Sequence, residues 1–128
     1  MKLNHDCVRS TLLFIEANHK PGIFLQLEQF LNSEELSKFD TDDIKYTLMK
    51  LSETKYLHDN IRIVQGKLVY YSTGALTWEG HKFLDTIRDP KVWKTTKTIV
   101  SHLESVSITL ISNVASKVLE NYIQNFLP

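Results

Sequence analysis

The sequence predicts an α+β protein that is mostly helical, with one β-hairpin near its middle and two helices at its C-terminal end. Three observations support this prediction. Apolar residues recur at helical spacing through most of the 128 residues, an aromatic and β-branched segment surrounds Gln65-Gly66, and Thr77 and Asp89 each precede a new apolar stripe. These patterns are typical of amphipathic helices, a hairpin and two helix N-caps, respectively.

The first helix is predicted to begin after Asn4 or Asp6, either of which can cap it, and to end near Asn18. Pro21-Gly22 then breaks the helical pattern. Residues 23–39 are expected to be mostly helical, because their apolar residues have partly helical spacing.

A third helix is predicted over residues 41–54, because Asp40-Thr41-Asp42-Asp43 is a typical start signal. Its buried stripe is formed by Ile44, Leu48 and Leu51. The outward face carries Lys45, Tyr46, Met49, Lys50 and Glu53.

The hairpin is predicted from two short strands, residues 61–64 and 68–71, joined by a tight turn at Gln65-Gly66. Residues 58–60 are read as a turn-like or bulged entry, and residues 72–74 as a turn that leaves the hairpin. The order of helix, helical segment, capped helix and hairpin predicts a winged-helix domain over residues 1–89, in which the hairpin is the wing.

Thr77 is expected to cap the next helix, whose apolar stripe is Gly80, Phe83, Leu84 and Ile87. Glycine weakens a helix, so we expect another backbone, supplied by a hairpin packed on the helix, to approach Gly80 closely.

Residues 90–128 are predicted to form a C-terminal helical extension. One helix begins at Asp89-Pro90 and ends near residues 102–104, and a second covers about residues 107–126. The second helix is more apolar than one buried face requires, which predicts a contact within the domain or a homodimer through this helix. Its expected interface residues are Ile108, Ile111, Ala115, Val118 and Tyr122.

Bulk properties restrict the classes of function. Fifteen basic and fifteen acidic side chains cancel, so the chain lacks the basic excess typical of proteins that depend on phosphate contacts. Cys7 is the single cysteine, which excludes an internal disulfide. No apolar run of about 18 residues is present. We therefore expect a cytoplasmic protein without membrane insertion.

Enzymatic motifs are absent from the sequence. The five histidines show no metal-ligand spacing, and none of the four glycines belongs to a phosphate-binding motif. The sequence therefore predicts a protein that is not an enzyme and has no cofactor.

Two functions remain open. Double-stranded DNA is the first partner considered, since a winged helix can place its third helix in a major groove and its wing on the backbone. The carboxylates of Asp40, Asp42, Asp43 and Glu53 oppose this, and leave a protein-binding adaptor or inhibitor without DNA contact as the alternative. The candidate DNA- or partner-binding residues are Lys45, Tyr46, Met49, Lys50, Arg62 and Lys67.

Three stretches, residues 1–9, 46–51 and 76–93, resemble DUF2513, a family of domains of unknown function. The last stretch, which contains Leu76-Thr77-Trp78-Glu79-Gly80 and Phe83-Leu84, is the most specific. The resemblance implies small proteins of Gram-positive bacteria and of their phages and prophages. The family has no established activity, so it supplies no catalytic or ligand residue. DNA binding by a regulatory module of phage or prophage origin is therefore the expected function, slightly ahead of protein binding.

Overall fold

The computed structural model describes residues 1–128, which divide into two compact units, Met1–His81 and Lys82–Pro128. More than half of the residues are helical, as the fold class predicts. The predicted domain boundary after residue 89 stays a prediction. The elements in chain order are α1 (His5–Asn18), β1 (Leu25–Gln26), α2 (Leu27–Leu31), α3 (Thr41–Leu51), β2 (Leu57–Val64), β3 (Lys67–Leu76), α4 (Trp78–Ile87), α5 (Pro90–Val100) and α6 (Ile108–Gln124).

The three strands form one antiparallel sheet in the order β1-β3-β2. The central strand, β3, pairs with β1 through Leu25 opposite Thr73, and with β2 through Ile61 opposite Tyr71. Helices α1, α2 and α3 all contact β3. This arrangement is consistent with a helical domain that carries a β-hairpin wing.

Two expectations about the sheet were wrong. Residues 23–39 are not mostly helical, because they contain strand β1 and only the five-residue helix α2. Residues 72–74 are not a turn, because β3 continues to Leu76 and is paired on both sides at Ser72 and Thr73. Both differences have one cause, which is that β1 adds to the hairpin and extends its pairing.

The turn of the hairpin follows the sequence prediction. Val64 pairs with Lys67, and Gln65 and Gly66 both have positive φ, 51° and 78°. Two consecutive positive φ values are typical of a type I′ turn, whose twist matches that of the flanking strands. The reversal therefore occupies two residues.

Two register shifts change which side chains of the hairpin face the helices. One lies between Leu57 and Asp59, where the sequence predicts a bulged entry. The other lies between Arg62 and Ile63, which pair with Tyr70 and Leu68. Val69 is therefore an extra residue on β3 without a partner on β2. This second bulge buries Leu68 and leaves the next two residues of β3 exposed.

Helix α1 begins where Asn4, rather than Asp6, accepts a hydrogen bond from the amide of Cys7 at 3.0 Å. Helix α3 starts at the predicted residue but ends at Leu51, three residues before the predicted end. The side chain of Asp40 makes no capping bond, although Asp40 occupies the N-cap position. The acidic start of α3 therefore favours the helix through its charges near the helix dipole.

The core of the first unit is built around three aromatic rings. The rings of Phe14 and Phe30 lie 5.1 Å apart between centroids, and Phe30 meets Tyr71 edge-on at 5.8 Å. These residues come from α1, α2 and β3, so the aromatic contacts join two helices to the central strand.

The start of α4 confirms the cap and the close backbone approach. Thr77 accepts a hydrogen bond from the amide of Gly80 at 3.0 Å, and its hydroxyl donates to the carbonyl of Lys55 at 2.5 Å. A Cβ on Gly80 would overlap the carbonyl oxygen of Tyr56. The backbone that leads into β2 therefore supplies the close approach.

In the second unit, α5 packs against α6. Asp89 caps α5 by accepting from the amides of Lys91 and Val92, and α5 ends at Val100, slightly before the predicted end. Ser107 caps α6. No helix of the chain is long and apolar enough to cross a membrane.

The predicted interface of α6 is largely covered by the chain itself. Ile111, Ala115 and Val118 are buried, and Ile108 and Tyr122 are half-buried. Tyr122 also lies 3.4 Å from Thr95 of α5 between their hydroxyl oxygens. This seam therefore packs within one chain, and the homodimer stays a prediction.

Candidate functional site at the cleft between α3 and the hairpin

Helix α3 and the turn end of the hairpin border a cleft of about 540 Å³, here called the α3–hairpin cleft. The period of α3 places its outward residues on one side, and the bulge in β3 turns Val69 towards the other. The cleft is lined by Met1, Asp42, Lys45, Tyr46, Met49, Gly66, Lys67, Leu68 and Val69.

Four of the six predicted site residues come together in this cleft. Lys45, Tyr46 and Met49 lie on α3, and Lys67 lies on β3 just after the turn. The apolar part of the lining contains the aromatic ring and the thioether of α3 together with two aliphatic side chains of β3. Such a lining fits an apolar side chain better than a phosphate group.

Lys50 does not line the cleft. Its ammonium group lies 3.0 Å from the carboxylate of Glu53, which follows the end of α3, and 5.5 Å from the ring centroid of Tyr46. The hydrogen bond that Lys50 donates to Glu53 raises the pKa of Lys50, which keeps it charged and paired. Lys50 is therefore less available to a partner than Lys45 or Lys67.

Arg62 also lies outside the cleft. It stands opposite Tyr70 in the register of β2 and β3, on the face of the sheet that does not contact the helices. The predicted set of site residues is therefore divided between the cleft and the outer face of the hairpin.

Sequence reasoning missed Leu68, Val69 and Asp42 as parts of the site. Asp42 was interpreted only as a charge at the start of α3, yet it lines the cleft beside the two lysines. Leu68 and Val69 were assigned to a strand, but strict alternation would not place both at one cleft. The bulge that does so depends on pairing with β2, so the two-residue spacing gave no signal.

Residues 2–107 match the family described as Hypothetical protein (DUF2513). The chain belongs to this family. It is also 30% identical over 120 residues to a protein of Haemophilus influenzae that is named Uncharacterized protein. The aligned region covers 93% of this chain and 96% of the relative. No solved structure matches the chain significantly.

Further apolar surface surrounds the cleft of this DUF2513 protein. Ile63, Val64 and Val69 are exposed at the turn end of the hairpin, with about half of the area of each side chain accessible. A cluster of this kind on one element is more informative than scattered exposed apolar residues. It extends the apolar lining of the cleft onto the surface.

A second cavity of about 430 Å³ lies within the second unit, between the start of α5 and the end of α6. Its lining residues are Asp89, Lys91, Val92, Leu119, Tyr122, Ile123, Asn125 and Phe126. Ile123 and Phe126 are also exposed, so this end of α6 carries the apolar surface that packing on α5 leaves uncovered.

The buried titratable groups of the first unit have structural surroundings. Burial raises the pKa of Cys7, whose thiol lies among Thr11 and the carbonyl of Asp43, so the thiol stays protonated and poorly nucleophilic. Burial also raises the pKa of Asp59, although its carboxylate accepts hydrogen bonds from Tyr71 at 2.8 Å and Ser52 at 3.4 Å. No group of three or more His, Cys, Asp or Glu side chains is placed to hold a metal ion.

Proposed function

We propose that this chain is a non-enzymatic winged-helix protein that binds another protein through the α3–hairpin cleft. The segment of the partner that enters the cleft carries an apolar side chain next to a carboxylate. The proposal places the chain in the cytoplasm as an adaptor or inhibitor of phage or prophage origin, an origin that the family resemblance implies.

The observation that carries this proposal is the composition of the cleft. Tyr46, Met49, Leu68 and Val69 give it an apolar lining, and the exposed apolar residues at the hairpin turn continue that lining outwards. Aromatic residues and methionine are enriched in protein interfaces, and a central apolar anchor often dominates the binding energy.

Charges at the cleft support a partner with a carboxylate. Lys45 and Lys67 come from its two sides, and Asp42 is the single acidic residue of the lining. Two lysines against one aspartate leave one net positive charge. A carboxylate beside the apolar anchor would complement that charge and help to orient the partner.

The test is affinity capture of the tagged full-length chain from its native host cell, compared with a Met49→Glu variant. The glutamate of this variant would place a charge inside the bound interface, so it should weaken capture of a specific partner about tenfold or more. Ile99→Glu is the matched control, because Ile99 is an exposed apolar helix residue of the second unit. A partner that both variants retain, or that both lose, would contradict the assignment of the cleft.

Double-stranded DNA is the second candidate, since α3 would be the recognition helix and the hairpin the wing of the proposed winged helix. Lys45 and Lys67 would contact phosphates there, with Lys50 and Arg62 beside them. Against this, Asp42 lies in the cleft and Glu53 pairs with Lys50. Anisotropy of a labelled random duplex at about 50 and about 200 mM salt tests this candidate, because several phosphate contacts would make binding collapse over that range.

A homodimer through α6 also stays part of the proposal. The buried seam leaves Leu110, Ile123, Phe126 and Leu127 as the exposed apolar residues available for it. Light scattering should give twice the chain mass of 14.9 kDa for the intact protein. A monomer at all accessible concentrations would remove the dimer from the account.

A further inference from the structure

The sheet of the first unit has an outer face that neither the cleft nor the helical core uses. Pairing across the three strands places Gln26, Ser72 and Asn60 in one row. Tyr70 and Arg62 form the next row on the same face, since Tyr70 is two residues from Ser72 and Arg62 two from Asn60.

Two aromatic side chains lie on this face, one on each side of the polar row. The ring of Phe24 lies against Gly74, where an added Cβ would be in ordinary contact with the ring at 3.4 Å. The hydroxyl of Tyr70 donates to Ser72 at 3.1 Å, two residues along the same strand, which directs its ring along the sheet. Phe24 and Tyr70 remain 54% and 46% exposed, so each ring offers area to a ligand.

The spacing of these groups suits stacked bases. Gly74 and Tyr70 are four residues apart on β3, which corresponds to about 13 Å along the strand. Two or three bases can occupy a sheet surface whose aromatic residues stack on them. In the row between the rings, Asn60 is exposed and Gln26 half-buried, and their amides can bond the exposed edges of bases, whereas Ser72 is buried beneath the hydroxyl of Tyr70.

The charge of the outer face differs from that of α3. Its strand residues include Arg62 and no carboxylate, because Asp59 points to the opposite face and binds Tyr71. Arg62 is exposed beside Tyr70, where its guanidinium can contact a phosphate or stack on a base. The strands of this face therefore carry no carboxylate that would repel a phosphate, whereas α3 does.

We infer that the outer sheet face, formed by Phe24, Gln26, Asn60, Arg62, Tyr70 and Ser72, is a binding surface for single-stranded nucleic acid. The two aromatic rings stack bases, the amides of Gln26 and Asn60 contact base edges, and Arg62 contacts the backbone. This function is separate from the protein-binding cleft on α3.

The experiment is fluorescence anisotropy of a labelled oligothymidylate and oligouridylate, each about 12 nucleotides long, titrated with the full-length chain at low salt. That length lies within the range covered by known single-strand surfaces. We expect binding that Tyr70→Ala and Phe24→Ala each weaken about tenfold, because loss of one stacking ring has an effect of that order. Tyr70→Phe should bind nearly as well as the parent, because it keeps the ring. Arg62→Gln should reduce the dependence on salt.

Trp78→Ala is the matched control, because Trp78 is a 77% exposed aromatic residue that lies outside the sheet. Circular dichroism of each variant verifies that the fold is kept. Absence of oligonucleotide binding at low salt would overturn the inference. It would also be overturned if Trp78→Ala weakened binding as much as Tyr70→Ala, or if a duplex competed more strongly than the single strand. Met49→Glu should leave binding unchanged, so this result is independent of the proposed protein partner.

Discussion

Gly80 allows helix α4 to touch the backbone that precedes the hairpin. The carbonyl of Tyr56 occupies the space that a Cβ would need, and it also accepts a hydrogen bond from the amide of Thr77 at 2.8 Å. Because the neighbour is backbone held in place by that bond, it cannot move aside as a flexible side chain would. This residue type was therefore interpretable from the sequence, since glycine in a capped, amphipathic helix needs such a reason.

Gly80→Ala should lower the free energy of unfolding by about 1–3 kcal/mol, the usual effect of overpacking. The expected loss opposes the gain of about 1 kcal/mol that alanine brings to an ordinary helix position. Urea denaturation of the variant measures the difference. Glu79→Ala, at the exposed neighbouring position, is the control and should change stability little. A Gly80→Ala protein as stable as the parent would show that the close approach is not maintained.

Asp59 is a second residue whose contribution can be measured, through the pH dependence of stability. Burial raises the pKa of its carboxyl in the folded state, so the folded chain holds that proton to a higher pH than the unfolded chain does. Stability contributed by the protonated group is therefore complete below the unfolded pKa and is lost as the pH rises through the folded pKa.

Asp59→Asn should remove this dependence while keeping an oxygen that accepts from Tyr71. The free energy of unfolding of the parent, relative to that of the variant, should fall as the pH rises from below the ordinary pKa of 3.8 through the raised pKa of the folded state. Denaturation curves of both proteins at a series of pH values measure this difference. A relative stability of the parent that rises with pH would show that the hydrogen bonds from Tyr71 and Ser52 outweigh burial.

At the scale of elements, the features that the sequence predicted correctly are those that depend on residues close together in the chain. The caps at Asn4, Thr77 and Asp89 and the turn at Gln65-Gly66 all appear where the sequence indicates. Each depends on one side chain or on one residue that tolerates positive φ, so a short segment is enough to recognise it.

Elements that depend on distant pairing were missed. Strand β1 has two residues, and its identity comes from Leu25 and Gln26 pairing with β3 almost fifty positions later. The same pairing turns residues 72–74 into strand, and the bulge in β3 brings Val69 to the cleft. The four cleft residues on the candidate surface were predictable from helix period and turn position, as was Asp42 on the same face of α3, whereas Leu68 and Val69 required the register.

The turn can be improved by one substitution. Gln65 has a φ of 51°, a conformation that asparagine adopts more readily than glutamine. Gln65→Asn should raise the free energy of unfolding by up to roughly 1 kcal/mol, and Gln65→Ala should not. Thermal or urea unfolding of the two variants provides the comparison. If Gln65→Asn and Gln65→Ala changed the free energy of unfolding equally, the positive φ at this residue would not limit stability.

Whether the buried residues of α6 belong to the core of the single chain can be tested by substitution. Ile111→Ala should cost about 2–5 kcal/mol, because Ile111 is buried within the chain, whereas Leu110→Ala should cost much less, because Leu110 is partly exposed. Urea denaturation at several protein concentrations measures both. If the cost of Ile111→Ala appeared only at concentrations that favour association, the seam would belong to a dimer rather than to the packing of α6 on α5.

At the scale of the whole molecule, the first unit offers two separate surfaces. The α3–hairpin cleft combines an apolar lining with two lysines and one aspartate, and the outer sheet face combines two aromatic rings with one arginine. The bulge in β3 separates them, because it turns Leu68 and Val69 towards the cleft while Tyr70 stays on the outer face. One hairpin can therefore serve two partners without sharing their contact residues.

The central claim is that the α3–hairpin cleft binds a protein. The most direct test places a photoactivatable benzophenone amino acid at Met49 of the tagged chain in its native host cell, with the same group at the exposed residue Lys20 as the control. We predict a discrete crosslinked product from position 49 that a protease removes and a nuclease does not. A nuclease-sensitive product, or products of the same pattern from both positions, would contradict the claim.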